Sequence, residues 1–426
     1  MLVEFSATNY RSILERQTLS MAASSYFKEL EDTNTFDAGL SDKAPRLLRS
    51  SVLYGPNASG KSTLIQALAF MQDRVLNSQK GTQAGDEIAT VPFKLTALSR
   101  QSDSEFEITF VEQGVRYEYG FKCNAERYTE EWLFAYPNGR VQKWFHRVFD
   151  PAAQKDMYRF SAFFEGDGLR KIWQSQTRPN ALYFSTAIQL NNAQLQPAFD
   201  WFKKRLHVVP HSLSANYTVK RCTNQADKKQ ILAFMNSADL SISDILLKTT
   251  SFSQDALPLD LPTPMKDELS RQFNGKELIV VKFVRHDLQT QEPIEFTEAE
   301  ESDGTTALFA FAGPWLDVTE NDRVLVVDEL DTSLHPLLVH RLVKLLHHSG
   351  SKAQLIFTTH DTTLLSQKLL RRDQIWFMEK DDSRATRLYP LSDFSPRENE
   401  AVERGYLNGR YGGIPFLKEL DFYGLG

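Results

Sequence analysis

The fold of this chain is decided by a stretch of eleven residues, Tyr54-Gly55-Pro56-Asn57-Ala58-Ser59-Gly60-Lys61-Ser62-Thr63-Leu64. Residues 55–62 match the pattern G-x-x-x-x-G-K-[ST], in which backbone N–H groups and a helix N-terminus surround the phosphates of a nucleotide. Gly55 and Gly60 permit close backbone approaches that a Cβ would obstruct. In this pattern Lys61 supplies a charge to the β- and γ-phosphates, and the hydroxyl of Ser62 binds Mg²⁺. Residues 55–63 are therefore predicted to form a nucleotide site.

The sequence on either side of this loop agrees with that interpretation. Residues 51–54 are typical of a short buried strand, and residues 63–75 carry apolar side chains at helical spacing. A glycine-rich turn with no chemical role is the alternative. We favour the phosphate loop because strand, loop and helix in this order is the arrangement that the motif requires.

The overall composition is that of an ordinary soluble globular protein, with 426 residues, 41% hydrophobic, 24% charged and a net charge of -6. This length predicts two lobes or domains. The acidic total argues against a protein that coats nucleic acid, although a local basic groove stays compatible with it. The chain has two cysteines, Cys123 and Cys222, which suits a reducing cytosol and predicts a cytoplasmic location. Since no apolar run of about 18 residues occurs, no membrane role is expected.

Three segments are predicted. Residues 1–165 hold the phosphate loop and an antiparallel β subdomain, residues 166–275 form a mainly helical insertion, and residues 276–426 complete the nucleotide site. Turn residues separate the short strands of the β subdomain, which indicates a meander. Its predicted strands are Glu105–Val111, Val115–Lys122, Glu130–Ala135 and Val141–Arg147. The insertion is expected to include a helical run through Phe199, Phe202 and Leu206. Pro258–Pro264 is expected to be an extended connector.

Basic residues gather at three places in the insertion: Lys203-Lys204-Arg205, Lys220-Arg221 and Lys228-Lys229. Short charge clusters are common on exposed helices, so a solvated helix face is the favoured interpretation. A nucleic-acid or partner-binding surface is the alternative.

A second nucleotide-related segment is Arg323-Val324-Leu325-Val326-Val327-Asp328-Glu329, an apolar strand that ends in two acids, the form called Walker B. In parallel sheets ligands lie at the carboxyl ends of strands, which puts Asp328 beside the phosphate loop, where it can hold Mg²⁺. Glu329 is predicted to orient or deprotonate the attacking water during phosphoryl transfer. An ordinary strand end is the alternative, and the upstream loop disfavours it.

Downstream, Pro336 is expected to begin a helix that runs to about His348, followed by a buried strand, residues 354–360, that ends in His360. A histidine at the carboxyl end of that strand could donate a hydrogen bond to the γ-phosphate. A polar residue at a core edge is the alternative. Residues 375–378 predict a further strand of the same sheet.

Upstream of Walker B, Ser302-Asp303-Gly304 precedes a predicted helix from Ala307 to about Ala312. A serine hydroxyl, a glycine N–H and a helix N-terminus together form an anion site. The same residues are compatible with an ordinary helix cap. Their position in the chain, between the phosphate loop and Walker B, is the feature that favours the anion site.

These segments, in this order, resemble the ABC-type ATPase fold, in particular its soluble branch that contains SMC proteins, RecF and the OLD nucleases. The chain looks most like the RloA-like ATPases of prokaryotic phage-defence loci, a group that includes the ATPase subunit of the PARIS system. The similar segments are Phe5–Ser12, Asp328–Pro336 and Gly409–Pro415. The expected fold class is α/β, a P-loop NTPase with an ABC-type ATPase head, an antiparallel β subdomain and a mainly helical insertion.

The resemblance implies ATP and Mg²⁺ as cofactors and ATP hydrolysis as the activity. It implies a homodimer or higher homo-oligomer in which Ser302 and Gly304 of one protomer contact the γ-phosphate bound by the other, with Asp331 near that interface. It also places Arg11 near the nucleotide. The chain departs from the transporter pattern, because its signature lacks the Leu-Ser-Gly-Gly-Gln wording and no Q-loop glutamine can be assigned.

No nuclease constellation follows His360, so another chain is expected to carry the effector activity. The resemblance implies that this chain is a nucleotide-dependent switch, the sensor of an anti-phage system. The implied partners are a separate toxin or nuclease effector and a phage protein as trigger. One rival interpretation is a RecF-like repair ATPase that reads DNA with its basic clusters, and nucleic acid is therefore a possible but not a predicted partner. A transporter's nucleotide-binding subunit is a second rival, which the signature wording disfavours.

Overall fold

The computed structural model describes residues 1–40, 45–210, 214–238, 240–251, 263–273, 277–332, 334–365, 368–394 and 401–414. Residues 258–262 of the expected connector, together with Ser333 and Pro415 of the family-like segments, lie outside these ranges. The connector prediction is wrong for residues 263 and 264, which begin a helix rather than an extended segment.

The strands, in chain order, are β1 Leu2–Thr8, β2 Gln17–Ser20, β3 Thr35–Phe36, β4 Leu47–Leu48, β5 Ser50–Tyr54, β6 Ser104–Glu112, β7 Val115–Cys123, β8 Tyr128–Tyr136, β9 Gln142–Asp150, β10 Lys155–Phe160, β11 Leu206–Val209, β12 Asp244–Ser251, β13 Glu277–His286, β14 Pro293–Thr297, β15 Val324–Val327, β16 Gln354–Thr358, β17 Ile375–Lys380 and β18 Thr386–Pro390.

The α-helices are α1 Glu31–Asn34, α2 Lys61–Asn77, α3 Ala97–Gln101, α4 Arg170–Gln176, α5 Tyr183–Gln189, α6 Gln196–Asp200, α7 Asn216–Cys222, α8 Gln225–Asn236, α9 Thr263–Phe273, α10 Asp303–Glu320, α11 Pro336–His348 and α12 Val402–Leu407. A π-helical turn, Trp201–Arg205, connects α6 to β11.

The chain divides into two compact units. The first contains Met1–Ser212, Val318–Thr332 and Val339–Gly426, and the second contains Leu213–Asp317 and Ser333–Leu338. The predicted segment boundaries after residues 165 and 275 stay predictions.

A six-stranded sheet in the first unit organises the nucleotide-related segments. Its strand order is β11-β15-β16-β5-β17-β18, and every neighbouring pair is parallel except β17 and β18. All five residues of β5 are buried, which is typical of a central strand covered on both faces. Because β5, β15 and β16 run in the same direction, the loops after them lie along one edge of the sheet.

The second large sheet of this unit has the order β10-β9-β8-β7-β6-β1-β2, and all its neighbouring strands are antiparallel. The predicted meander corresponds to β6 through β9. The buried apolar residues of α2, at helical spacing, belong to the same core as the inward aromatic side chains of this sheet. Those α2 residues are Leu64, Ile65, Ala67, Leu68, Met71 and Val75.

The buried side chain of Gln354, at the start of β16, joins the two large sheets. Its Oε1 accepts a hydrogen bond from the backbone N–H of Leu2, at 2.7 Å. Its Nε2 donates to the carbonyl oxygens of Leu2 and Leu48, at 3.0 and 3.1 Å. Since each polar atom of the amide has a partner, its burial carries little cost and fixes the start of β1 against β16.

The second unit combines helices with the antiparallel sheet β12-β13-β14, in which β13 and β14 are consecutive strands. The prediction that α10 ends near Ala312 is wrong, because this helix continues past Pro314 to Glu320. Proline has no N–H to bond the carbonyl of Ala310 one turn earlier. The Thr218 hydroxyl donates to that carbonyl instead, at 3.0 Å, so the helix can continue.

Another prediction also differs from the structure. Leu206 was expected on a helix with Phe199 and Phe202, but it is the first residue of β11, which pairs in parallel with β15. The helical spacing runs through α6 and the π-helical turn and stops there. The predicted α/β class and the antiparallel β subdomain are otherwise confirmed by the two large sheets and the helices described above.

No helix in the described parts of the chain is both long enough and apolar enough to cross a membrane.

The antiparallel subdomain depends on a buried carboxylate, Glu131. It accepts hydrogen bonds from the backbone N–H groups of Tyr183 and Phe184, at 2.6 and 2.9 Å, and lies 3.7 Å from the guanidinium of Arg147. Burial raises the pKa of Glu131, while Arg147 and these N–H donors oppose the rise. The carboxylate thus ties β8 to the first turn of α5.

We expect Glu131→Gln to lower the free energy of unfolding by about 3 kcal/mol, since the amide NH₂ would replace one carboxylate oxygen and face one of the two N–H donors, and the charge opposite Arg147 would be lost. Urea unfolding followed by fluorescence measures this change. Glu126→Gln, at an exposed position in the preceding turn, is the matched control and should change stability by less than about 0.5 kcal/mol. Equal stability of the two variants would contradict the assignment.

Candidate nucleotide site

The phosphate loop connects β5 to α2, and close contacts fix its two glycines. A Cβ at Gly55 would lie 2.4 Å from the carbonyl oxygen of Met378, on the neighbouring β17. A Cβ at Gly60 would lie 2.1 Å from the hydroxyl of Thr386, and Gly60 has a φ of +114°. Both positions therefore exclude side chains, as the sequence predicted for a loop that wraps closely around a ligand.

Lys61 is the first residue of α2 and is buried, with 6% of its surface exposed. Its ammonium donates to the carbonyl oxygens of Gly55 and Pro56, at 2.7 and 3.3 Å. Burial lowers the pKa of Lys61, and the carboxylates of Asp328, Glu329 and Asp331 oppose that effect. The predicted acids therefore lie near enough to Lys61 to act on its charge.

The other loop residues present both backbone and side-chain polar groups. Asn57 and Ala58 are exposed, Pro56, Ser62 and Thr63 are half-buried, and Ser59 is buried. Ala58 adopts a φ of +62°, and the Ser59 hydroxyl has no hydrogen-bond partner among the described residues. The N-terminus of α2 starts at Lys61 and has no side-chain cap, so its first N–H groups are available to an anion.

A group of hydroxyls supports the loop from one side, and no pattern in the sequence predicted this group. Thr386 donates to the carbonyl oxygen of Ser59, at 2.8 Å. Its Oγ1 also lies 2.8 Å from the hydroxyl of Ser12, which donates to the hydroxyl of Thr63 at 3.1 Å. Lys380 donates to the same Thr386 oxygen, at 3.1 Å. These contacts join segments that are hundreds of residues apart in the chain.

Arg11 precedes Ser12 in this arrangement and is exposed, with a φ of +52°. Its backbone N–H donates to the carbonyl of Val91, and its Nε donates to the Tyr10 hydroxyl at 3.3 Å. The guanidinium lies over the Tyr10 ring. Its predicted position near the nucleotide stays a prediction, although the adjacent Ser12 contacts residues of the loop region.

The two acids after β15 are positioned by one side chain on the neighbouring strand. The buried Thr358 hydroxyl, at the end of β16, donates to Oδ1 of Asp328 at 2.7 Å and accepts from the backbone N–H of Glu329 at 2.6 Å. Glu329 is exposed, has a φ of +52° and accepts a hydrogen bond from the Thr332 hydroxyl at 3.1 Å. The sequence missed Thr358, whose only signal was its position one strand away from the acids.

Asp331 and His360 meet at the same edge. The backbone N–H of His360 donates to Oδ2 of Asp331, at 3.1 Å, and the histidine side chain is exposed. His360 lies beyond the end of β16, which stops at Thr358, rather than within the strand. The second carboxylate oxygen of Asp331 is buried and has no hydrogen-bond partner among the described residues. A buried acceptor without a partner needs an explanation, and a bound water or ion is one that fits the edge of a nucleotide site.

The second compact unit holds Ser302 and Gly304. The Ser302 hydroxyl accepts a hydrogen bond from the backbone N–H of Thr305, at 3.2 Å, and so caps α10. The helix begins at Asp303 rather than at Ala307, which places Gly304 within its first turn. Both residues are exposed. Their role at the γ-phosphate of a partner protomer stays a prediction.

The residues present in the first unit fit ATP and Mg²⁺. A free helix N-terminus and a buried ammonium suit phosphates, and the hydroxyl of Ser62 with the carboxylate of Asp328 supplies the oxygen ligands that Mg²⁺ prefers. Mg²⁺ usually takes one or two protein ligands and completes its shell with phosphates and water. The partnerless oxygen of Asp331 points to a further group at this edge.

Four residues of the basic clusters in the predicted insertion form ion pairs with acids of their own unit. Lys204 pairs with Asp200 at 2.8 Å, and Arg205 pairs with Glu112 at 3.3 Å. In the second unit, Arg221 pairs with Asp227 and Lys228 pairs with Asp244, at 3.0 and 2.6 Å. These pairs support a solvated surface rather than a phosphate-binding one, because charges that are already neutralised attract a polyanion less strongly.

The chain was compared with known proteins and with solved structures. No curated protein matches the chain. Among solved structures, it is similar to the "SMC head domain from Thermotoga maritima", with 13% identity, 91% of this chain and 98% of that chain covered, and a TM-score of 0.41. It is also similar to the structure titled "Crystal structure of the SmcHead bound to the C-winged helix domain of ScpA", with 12% identity, 93% and 99% covered, and a TM-score of 0.39.

A family model matches residues 50–366, which include the phosphate loop, Walker B and His360. Its description is "AAA domain, putative AbiEii toxin, Type IV TA system". The match spans most of the chain and contains both halves of the site described above. The chain therefore belongs to this AAA-domain family.

Proposed function

We propose that the chain binds and hydrolyses ATP and uses the nucleotide as a switch. The observation that carries this proposal is the sheet geometry: Lys61, which follows β5, and Asp328 and Glu329, which follow β15, lie along one edge of the parallel sheet. The proposed phosphate-binding cation and the proposed catalytic acids would thus face the same ligand. Burial of the Lys61 ammonium beside the carbonyls of its own loop costs desolvation energy. Stability of the fold therefore does not explain why a lysine stands at this position.

The roles of the residues follow from their positions. Lys61 and the N–H groups at the start of α2 would bind the phosphates, and Ser62 with Asp328 would hold Mg²⁺. When bound, Mg²⁺ neutralises negative charge on the β- and γ-phosphate oxygens. Glu329 is exposed at the end of β15, where its carboxylate can accept a proton from water. His360, one strand away, would donate to the γ-phosphate.

The cycle is proposed to operate between two copies of the chain. Ser302 and Gly304 are exposed on their own unit, and the N-terminus of α10 can bind an anion, so the signature of one protomer could contact ATP held by the other. Asp331 would lie near the same interface. Two ATP molecules then bridge the pair, and hydrolysis releases it.

The wider role is proposed to be that of the regulatory sensor in an anti-phage system, as in RloA-like ATPases and the PARIS system. The family description names a "putative AbiEii toxin" and a type IV toxin–antitoxin system, which supports a defence locus. A separate toxin or nuclease effector is proposed from the resemblance to RloA-like ATPases. A phage protein would be the trigger. For the RecF-like alternative, the ion-paired basic clusters offer no support.

The first test of the switch is Glu329→Gln. We expect ATP binding to persist while turnover falls by about 100-fold or more, because the amide can no longer accept a proton from water. Size-exclusion chromatography with ATP should then show a stable dimer. Glu87→Gln, at an exposed position outside the site, is the control and should hydrolyse ATP normally. Unaltered turnover in Glu329→Gln would show that another group is the base.

A second test concerns Thr358 as the residue that positions both acids. Thr358→Val keeps the shape of the side chain but removes the hydrogen bonds to Asp328 and Glu329. We expect kcat to fall by about tenfold or more while KM for ATP changes little, and Thr358→Ser to restore activity. Thr186→Val, which removes another buried hydroxyl, is the matched control. A normal kcat in Thr358→Val would refute the positioning role.

The defence assignment is tested by the protein that the neighbouring reading frame encodes. Co-expressed with this chain, that protein should co-purify as a complex through size-exclusion chromatography, because a sensor restrains its effector by direct contact. The Lys61→Ala variant tests whether the association depends on nucleotide. Failure of the two proteins to associate, with or without ATP, would contradict the assignment and leave the ATPase proposal intact.

A further inference from the structure

Lys380 is a half-buried cation beside the phosphate loop that the proposed mechanism does not use. It is the last residue of β17, which pairs in parallel with β5. Two residues earlier on the same strand, the carbonyl oxygen of Met378 lies against Gly55. Lys380 therefore extends past the loop at the carboxyl edge of the sheet, where ligands of parallel sheets bind.

The contacts of Lys380 connect it to the loop through one hydroxyl. Lys380 and Thr386 are directly opposite each other on β17 and β18. The ammonium donates to the Thr386 hydroxyl at 3.1 Å, and that hydroxyl donates to the carbonyl of Ser59 at 2.8 Å. The charge of Lys380 thus lies two hydrogen bonds away from the backbone of the phosphate loop.

The ammonium has no carboxylate partner among the described residues. Burial lowers the pKa of Lys380, and Asp381, the next residue, is the one acid that opposes this effect. Asp381 itself accepts a hydrogen bond from the backbone N–H of Ala385, at 2.9 Å. A partly desolvated cation with one neutral hydroxyl as its partner is costly unless an anion binds beside it.

Sheet topology indicates which phosphates would be in reach. β16 and β17 lie on opposite sides of β5. The acids that act on Lys61 follow β15, beyond β16, so the γ-phosphate would lie toward that side. Lys380 comes from the other side, where Ser12 and Thr386 contact Thr63 and Ser59.

We propose that Lys380 is a second phosphate-binding cation, whose ammonium contacts the phosphates that ATP and ADP share. Lys61 serves the β–γ end of the triphosphate, and Lys380 serves the end nearer the nucleoside. The inference rests on the proposed nucleotide site and adds a residue to it. Its consequence is that the chain retains ADP after hydrolysis more strongly than Lys61 alone would allow.

The test is nucleotide binding by the full chain, measured by calorimetry with ADP and with the non-hydrolysable analogue AMP-PNP. Lys380→Met keeps the length of the side chain and removes its charge. We expect both dissociation constants to rise by the same factor, about tenfold or more, as for loss of a hydrogen bond to a charged group. Lys380→Arg should restore most of the affinity. The melting temperature without nucleotide should not fall, because the variant removes a charge that is costly in the absence of an anion.

Two controls separate this inference from the proposed function. Lys171→Met removes an exposed lysine on α4 and should bind both nucleotides as the wild type does. Lys61→Ala should abolish binding. If wild-type protein binds neither nucleotide, the proposed function itself fails. If it binds both and Lys380→Met matches it, the inference about Lys380 alone is overturned. A loss confined to AMP-PNP, or a lower melting temperature that Lys380→Arg does not correct, would also overturn it.

Discussion

Parallel pairing of β5 with β16 on one side and β17 on the other constrains the rest of the first compact unit. Because these strands run in one direction, the phosphate loop, the segment around His360 and the end of β17 must share an edge of the sheet. β15 extends the same edge by pairing with β16, which brings Asp328 and Glu329 to it. Segments that are separated by hundreds of residues become neighbours through backbone geometry alone.

The two partly desolvated cations at this edge favour the binding of an anion. Lys61 and Lys380 are desolvated cations held by carbonyl and hydroxyl oxygens, and burial lowers the pKa of both. The carboxylates of Asp328, Glu329 and Asp331 lie near Lys61, and one oxygen of Asp331 has no partner among the described residues. Bound phosphates would neutralise the two lysines, and bound Mg²⁺ would neutralise the carboxylates. The chain by itself neutralises these charges only in part.

The sequence predicted the parts of this site that follow from local patterns. The phosphate loop, the acids after β15 and the histidine after β16 each come at the end of an apolar run, so strand order alone brought them together. The sequence could not predict that Thr386, Ser12 and Lys380 lie beside the phosphate loop, because their contacts depend on which strands pair. Leu206 was misassigned because the apolar spacing of the sequence does not show that the π-helical turn ends at Arg205 and that β11 begins at Leu206. The length of α10 was missed because Thr218, far away in sequence, satisfies the carbonyl that Pro314 leaves free.

The most direct test of this account is a crystal structure of the chain with AMP-PNP and Mg²⁺. The account predicts phosphates at the N-terminus of α2, with the Lys61 ammonium moved from the carbonyls of Gly55 and Pro56 onto phosphate oxygens. It also predicts Mg²⁺ between the Ser62 hydroxyl and the Asp328 carboxylate. A nucleotide bound elsewhere, with Lys61 still on its loop carbonyls, would contradict it.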